Sequence, residues 1–368
     1  MYQSENYLYL APLLIYVAWR LWTLVGSKWG KPLSTLLFAL LVASYPVGGP
    51  LAEAAAGPAK RLLVIAAYDG MPALLYLVLT VVVVDLLIGL GRLFKVISRE
   101  KARSVRFRRA RLAVTLLIPT AIMIGGIINF KTVRIKEYAV EVPRRSSALE
   151  GLTIAFAADF HLGTVTAPGF LDKFAERVNG LRPDVILIGG DVFEGHGGEE
   201  RMAEFESGFR LLRARFGVYG VPGNHEGYGG SRDAFFAQAG VTLLRDAVVR
   251  LDDAITLVGR NYGRRGRKSI DELLRAVPDD LPIIVMDHRP SDIAAVSRTR
   301  VDVQLSGHTH NGQIFPINWI TKGQYLFGWG HLEMGRTHFF VTSGVQGWGP
   351  PIRTAGRSEI YFIRIKFN

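Results

Sequence analysis

The first third of the chain reads as long apolar runs with little alternation, and the rest as short apolar runs separated by amphipathic stretches. Four stretches approach membrane-spanning length: residues 7–25, 32–47, 71–90 and 112–130. They are apolar around the whole helix rather than along one stripe, which sets them apart from helices of a soluble bundle. The second stretch is short and the first contains Arg20. Residues 1–6 hold no Lys or Arg, so the first stretch lacks the basic flank of a cleaved export signal. The Gly-, Pro- and Ala-rich segment 47–58 reads as a loop. Asp85 lies inside the third apolar run, where a charge needs a partner or a function.

From residue 131 the pattern changes. Residues 131–143 alternate and read as a linker or a leading strand. Apolar runs at 151–158, 184–188, 218–221, 281–286 and 301–305 read as buried strands. Phe170, Leu171, Phe174, Val178 and Leu181 share one helical face between the first two. The expected architecture is therefore an all-α transmembrane region over 1–130, then an α/β domain over 151–368. Each run ends in polar residues: Asp159 and His161, Asp191, Asn224 and His225, His288, and His308 and His310. In α/β sheets the carboxyl ends of the strands are where sites form, so these eight residues should meet.

Charge supports the division. Net charge is +12, but residues 1–130 hold 14 basic against 5 acidic side chains, so most of the excess sits in the apolar region. Residues 92–111 alone carry nine Lys or Arg and one acid, Glu100. A basic segment between spans marks the cytoplasmic side and argues against a nucleic-acid surface. With four spans, the chain after residue 131 lies outside the cytoplasm.

The chain has no cysteine, so any metal must be held by His, Asp, Glu or Asn. Five of the eight histidines are in the strand-end groups. A mixed oxygen and nitrogen donor set suits Mn, Fe, Zn or Co, and it is larger than one ion needs. Two ions sharing a carboxylate suit phosphoester cleavage: they neutralise phosphate oxygens and acidify a bridging water, whose hydroxide attacks phosphorus in line. A nearby histidine protonates the leaving oxygen.

Asp159-Phe160-His161, Gly190-Asp191, Gly223-Asn224-His225-Glu226, His288 and Gly307-His308-Thr309-His310 resemble, in order, the five motifs of the calcineurin-like metallophosphoesterases. The resemblance covers about residues 151–366 and implies a four-layer α/β/β/α sandwich. It implies that Asp159, His161 and His310 bind the first metal, that Asp191 bridges, and that Asn224, His288 and His308 bind the second. His225 would sit beside the phosphate as acid or transition-state stabiliser. Glu194 stands where the family often has Asp, and is read as a support rather than a ligand. His196 is read as a loop residue, and Asp287 as orienting a ligand or capping a turn. Asn311-Gly312-Gln313-Ile314 and the segment from Thr342-Ser343-Gly344 to Pro351-Ile352-Arg353 are similar to the membrane-associated YkuE-type bacterial phosphodiesterases.

The apolar, aromatic stretch 314–329 follows the last motif directly. It is either a platform against acyl chains or bilayer, or a hairpin on the sheet edge. Trp348 and Arg353 are candidate substrate contacts, with Arg353 alternatively bracing a loop. Arg264-Arg265-Gly266-Arg267-Lys268 is either an anion-binding run or a solvated loop. The expectation is a multi-pass bacterial membrane protein with two divalent ions (Mn, Fe or Zn) that hydrolyses a phosphodiester or pyrophosphate from lipid or envelope. The alternatives are a pyrophosphatase acting on a UDP-linked acylated sugar at the cytoplasmic face, and a non-catalytic metal-domain sensor.

Overall fold

The computed structural model describes residues 5–194, 198–228, 232–263, 266–275 and 277–368. His196, Arg264 and Arg265 lie outside the described residues. The chain divides into two compact units, one formed mainly by residues 1–128 and the other by Asn129 onward.

The first unit contains α1 (Glu5–Leu24), α2 (Gly30–Ala54), α3 (Gly57–Leu93), the short α4 (Arg99–Arg103) and most of α5 (Val105–Lys131). Three helices, α2, α3 and α5, are long and apolar enough to cross a membrane, with mean hydropathies of 1.6, 2.7 and 2.0. The first expected span coincides with α1, of which the described apolar segment is Leu10–Leu24. The segment expected as a loop at 47–58 is helical to Ala54 and again from Gly57, with Pro46 and Pro50 inside α2. In an apolar helix, neighbouring groups satisfy the backbone that proline frees, so these residues need not end it.

Val17, Leu21, Phe38, Leu77, Val78 and Val81 pack between the helices, while Leu36, Leu37, Leu86, Leu87 and Leu117 face outward. Asp85 is paired: Arg20 Nε lies 2.5 Å from Oδ2, and Tyr16 and Arg111 also contact the carboxylate. Partners on α1 and α5 account for a charge on α3 without a catalytic role.

The second unit is a two-sheet sandwich. Its elements run β1 (Arg134–Val142), β2 (Gly151–Ala157), α6 (Phe170–Gly180), β3 (Val185–Ile188), α7 (Met202–Phe209), β4 (Val218–Gly220), α8 (His225–Tyr228), α9 (Asp233–Gln238), β5 (Thr242–Leu243), β6 (Ala247–Leu251) and β7 (Ile255–Gly259). They continue with α10 (Ile270–Leu274), β8 (Ile283–Met286), α11 (Ile293–Val296), β9 (Val303–Ser306), α12 (Asn318–Gln324), β10 (Gly330–Met334), β11 (Thr337–Val341) and β12 (Glu359–Phe367). One sheet has the order β1-β12-β2-β3-β4-β5 and the other β10-β11-β9-β8-β7-β6. The alternating segment near residue 134 is a strand of the first sheet, β1, paired parallel to β12.

Alternation along the strands builds three cores. Ile154, Phe156, Leu187, Leu257, Ile284, Met286, Leu305 and Phe340 fill the space between the sheets. Ala155, Ile186 and Ile188 turn outward onto Leu171, Phe174, Phe205 and Phe235 of α6, α7 and α9. Val258, Ile283 and Val285 turn the other way onto α10 and α11 through Ile270, Leu273, Leu274, Ile293 and Val296. The layers are helix, sheet, sheet, helix, and the central parallel strands β3, β8 and β9 are buried on both faces.

Candidate metal centre

The strands β2, β3 and β4 of one sheet run parallel to one another, as do β8 and β9 of the other, and their carboxyl ends carry the polar groups. Asp159, His161, Asp191, His308 and His310 all hold left-handed backbone conformations, with φ between 43° and 72°. That region is unfavourable for a side chain, and such strain persists where surrounding structure holds it. It turns the chain sharply off each strand and brings the side chains together.

The donors fall into two groups that meet at Asp191. Asp159, His161 and His310 have donor atoms clustered within 4.8 Å, as do Asp191, His288 and His308. His161 Nε2 faces His310 Nε2 at 3.1 Å, and His310 Nε2 lies 3.7 Å from Asp159 Oδ1. On the other side His308 Nδ1 lies 3.2 Å, and Asn224 Oδ1 3.3 Å, from His288 Nε2. Asp191 Oδ2 stands between, 3.8 Å from His161 Nε2 and 3.3 Å from His288 Nε2. The His225 ring meets that of His161 edge-on at 4.6 Å, and its backbone N–H donates to Asp191 Oδ1 at 2.8 Å. All eight expected residues are therefore brought together. Six are buried, and His225 and His308 are partly so.

The donor chemistry fits cations. Two pairs of imidazole nitrogens face each other in a site flanked by carboxylates, so either a proton or a cation sits between each pair, and the surrounding carboxylates favour a cation. The far nitrogens are held as in metal-ligating histidines: Glu194 Oε2 lies 2.6 Å from His161 Nδ1, and His288 Nδ1 is 2.7 Å from the Gly189 carbonyl.

Electrostatics follow from burial and these neighbours. Burial pushes the Asp159 carboxyl up to about 6, against the pull of His288. Burial lowers His288, but the Asp191 carboxylate and its hydrogen bond raise it to about 10. Burial and His288 together lower His308 to about 3. Burial and His161 lower His225, while Asp191 and Glu194 oppose them.

Two glycines are required by proximity. A Cβ on Gly223 would run into Asp191, and one on Gly307 would lie 2.5 Å from Asp159 Oδ2. One structural carboxylate had no assigned role in the sequence pattern. Glu226 is buried and accepts backbone N–H groups from Asp191 at 2.9 Å, Val192 at 2.8 Å, Phe193 at 3.3 Å and Gly223 at 2.6 Å. It ties the loop after β3 to the loop after β4. Its place immediately after Asn224-His225 was the only signal.

Other candidates resolve plainly. Asp287 pairs with Arg260 Nη1 at 2.8 Å and with Arg267. Arg267, from the basic run, is thereby committed to an internal ion pair. Arg353 is fully buried and braces the carbonyls of His310, Ser343 and Gln346. Trp348 is exposed. The 314–329 stretch is not a hairpin: it contains α12 and a loop fastened by Thr309 Oγ1 donating to the Gly328 carbonyl at 2.6 Å. The Tyr262 and Tyr325 rings stand 6.3 and 6.2 Å from that of His308.

The profile of the calcineurin-like phosphoesterases matches residues 152–312, which hold all the clustered donors. This chain carries a calcineurin-like metallophosphoesterase domain. An uncharacterized metallophosphoesterase of Helicobacter pylori is 33% identical over 242 residues, covering 63% of this chain and 64% of that protein. A transmembrane protein with metallophosphoesterase domain from Bos taurus is 30% identical over 287 residues, covering 72% and 63%. The metallophosphoesterase YkuE of Bacillus subtilis is 26% identical over 242 residues, covering 62% and 84%. The chain thus spans less than two thirds of the length of the first two. The metallophosphoesterase domain follows apolar helices that could span a membrane.

Proposed function

We propose that this protein is a membrane-anchored, metal-dependent phosphoesterase that hydrolyses a phosphodiester or pyrophosphate drawn from lipid or the cell envelope. The observation that carries the reading is Asp191 Oδ2 standing between His161 Nε2 and His288 Nε2, the position of a carboxylate shared by two cations. In this reading Asp159, His161 and His310 hold one divalent ion (Mn, Fe or Zn) and Asn224, His288 and His308 the other, with Asp191 common to both. Bound there, the ions supply charge neutralisation of the phosphate and acidification of water.

The chain's own residues do the rest. Glu194 and the Gly189 carbonyl fix the ring orientations of His161 and His288. Burial and the charge of His161 lower the pKa of His225, so it is neutral near pH 7. A neutral imidazole offers an N–H hydrogen bond to a phosphate oxygen as charge develops there. Tyr262 and Tyr325 flank His308 as walls for the group beyond the phosphate.

The catalytic domain lies outside the cytoplasm in this reading. The basic segment 92–111 sits between α3 and α5, and cytoplasmic placement of that segment sends the residues after α5 to the opposite side. The inference holds whether or not α1 crosses.

The test is hydrolysis of a chromogenic phosphodiester beside the matching monoester by the purified full chain, stripped of metal and reloaded with Mn, Zn or Fe. Metal-dependent diester cleavage that an Asp191→Ala variant loses is expected. Two bound ions without turnover on these compounds, on lipid extracts or on a UDP-linked acylated sugar would favour a ligand-sensing domain and overturn the reading. A reporter fused after Asn368 that is active only in the cytoplasm would overturn the orientation.

A further inference from the structure

We propose that the exposed apolar face formed by α12 and its flanking loops docks on a lipid bilayer. Among the described residues of the metallophosphoesterase unit, the exposed large apolar side chains are concentrated in one place. Apart from Leu211 and Val248, they are Phe315, Ile317, Trp319, Ile320, Leu326 and Trp329, with Trp348 beside them. Trp319 and Ile320 are each 65% exposed and Leu326 is 68% exposed, so they are not half-covered rim residues. The Phe315 and Trp319 rings meet edge-on at 5.1 Å. Gln313 Nε2 donates to the Trp348 carbonyl at 3.0 Å, which joins the two segments of the patch. A contiguous face of this kind is costly to leave in water and marks an interaction surface.

Three observations commit the occupant to a bilayer. Residues 314–329 contain no acid and one base, Lys322, which is exposed, so nothing on the face repels an anionic headgroup. Tryptophan and phenylalanine with isoleucine and a lysine are the composition of interfacial segments, where rings sit at headgroup depth. The same chain carries helices that could cross a membrane, and only residues 132 and 133 separate α5 from β1. A tether of two residues reaches about 7 Å, which keeps the domain at the surface of any bilayer that α5 crosses.

The face also borders the metal centre. The loop after α12 is pinned by the Thr309–Gly328 hydrogen bond, Tyr325 stands against His308, and the Arg289 guanidinium lies 5.7 Å from the Tyr325 ring centroid. Docking through α12 turns that side of the cluster toward the headgroup layer. The surface is independent of whether the cluster turns over a substrate.

The chain has no native cysteine, so one label can be placed cleanly. The full chain with Ile320→Cys is labelled with the fluorophore NBD and reconstituted into nanodiscs of phosphatidylethanolamine and phosphatidylglycerol. A second preparation carries the label at the exposed, opposite-edge position through Val248→Cys. Equal metal content and elution volume of the two variants exclude misfolding. The expected result is a shift of NBD emission to shorter wavelength at position 320 only, with stronger quenching there by nitroxide lipids labelled at the headgroup. Emission and quenching at 320 that match those at 248 would overturn the proposal. So would a blue-shifted label that nitroxide lipids do not quench, since that outcome means that protein, from a partner or a second copy, covers the face.

Discussion

Glu194 Oε2 lies 2.6 Å from His161 Nδ1, while the Nε2 of the same ring faces His310 at 3.1 Å. The carboxylate thus holds one nitrogen of the ring and aims the other into the cluster. Gly349 N–H in turn donates to Glu194 Oε1 at 2.8 Å, so the carboxylate is itself held. Glu194→Gln keeps the size and loses the charge. Metal affinity is expected to fall about 10- to 100-fold, the usual cost of losing a partner behind a ligating histidine. Titration of the apo protein with Mn or Zn, read by calorimetry, checks this. Unchanged affinity would mean that Glu194 does no more than close its loop.

His225 occupies a position from which it could act on substrate or bind metal, since its donor atoms also cluster with those of His161 and Asp191. The two roles separate cleanly. If His225 serves the phosphate, His225→Gln lowers kcat about 10²- to 10³-fold, the range for losing one positioned hydrogen-bond donor, and leaves metal content unchanged. Loss of one ion together with activity in elemental analysis would instead make it a ligand.

Glu226 carries a prediction about stability. Its carboxylate takes four backbone N–H groups from two loops, all buried. Burial raises its pKa, Asp191 raises it further, and the N–H donors from Gly223 and Val192 oppose both. Glu226→Ala leaves those donors without an acceptor, at about 1–3 kcal/mol for each buried group that water does not reach. A clear fall in the midpoint of thermal inactivation is expected, with metal content falling alongside because Asp191 is one of the donors. Glu226→Gln, which keeps one carbonyl oxygen, should lie between.

The legibility of these parts differed for physical reasons. Parallel strands buried on both faces read as unbroken apolar runs, so 184–188 and 281–286 stood out within two residues of β3 and β8. The polar residue that ends such a run then marks the sheet edge. Asp159, Asp191 and His288 were visible in this way, although β2, β3 and β8 lie in two different sheets. Glu226 was not visible, because its partners are backbone groups of another loop and leave no trace in side-chain pattern. Arg353 was ambiguous for the same reason, since it braces carbonyls. The Gly-, Pro- and Ala-rich composition of 47–58 suggests a loop because proline and glycine break soluble helices, a rule that apolar helices relax. The helix α12 was hidden by its composition: seven residues with Ile, Trp and Thr have no strong propensity, and its outer face lacks the polar pattern that marks a surface helix.

In the metal-free cluster, burial lowers His288, but Asp191 and its hydrogen bond lift it to about 10, above the usual histidine value near 6.5. Burial lowers both His308 and His310, so they are already neutral. Burial lowers His161 too, but Glu194 and Asp191 raise it above its ordinary value, so at pH 7.5 incoming divalent ions must expel protons held by His288 and His161 and not by His308 or His310. Calorimetric heats of metal binding should depend on the ionisation enthalpy of the buffer, and affinity should rise with pH until about 10. The sign for stability is the reverse. A histidine whose folded pKa is raised contributes stability that is fully present below about 6.5 and is lost as pH climbs through its folded value. The metal-free protein should therefore grow less heat-resistant between pH 6.5 and 10, while the metal-loaded protein, with its histidines neutral throughout, should not. Buffer-independent binding heats would mean that His288 is neutral before metal arrives, and that Asp191 faces it across a neutral hydrogen bond rather than an ion pair.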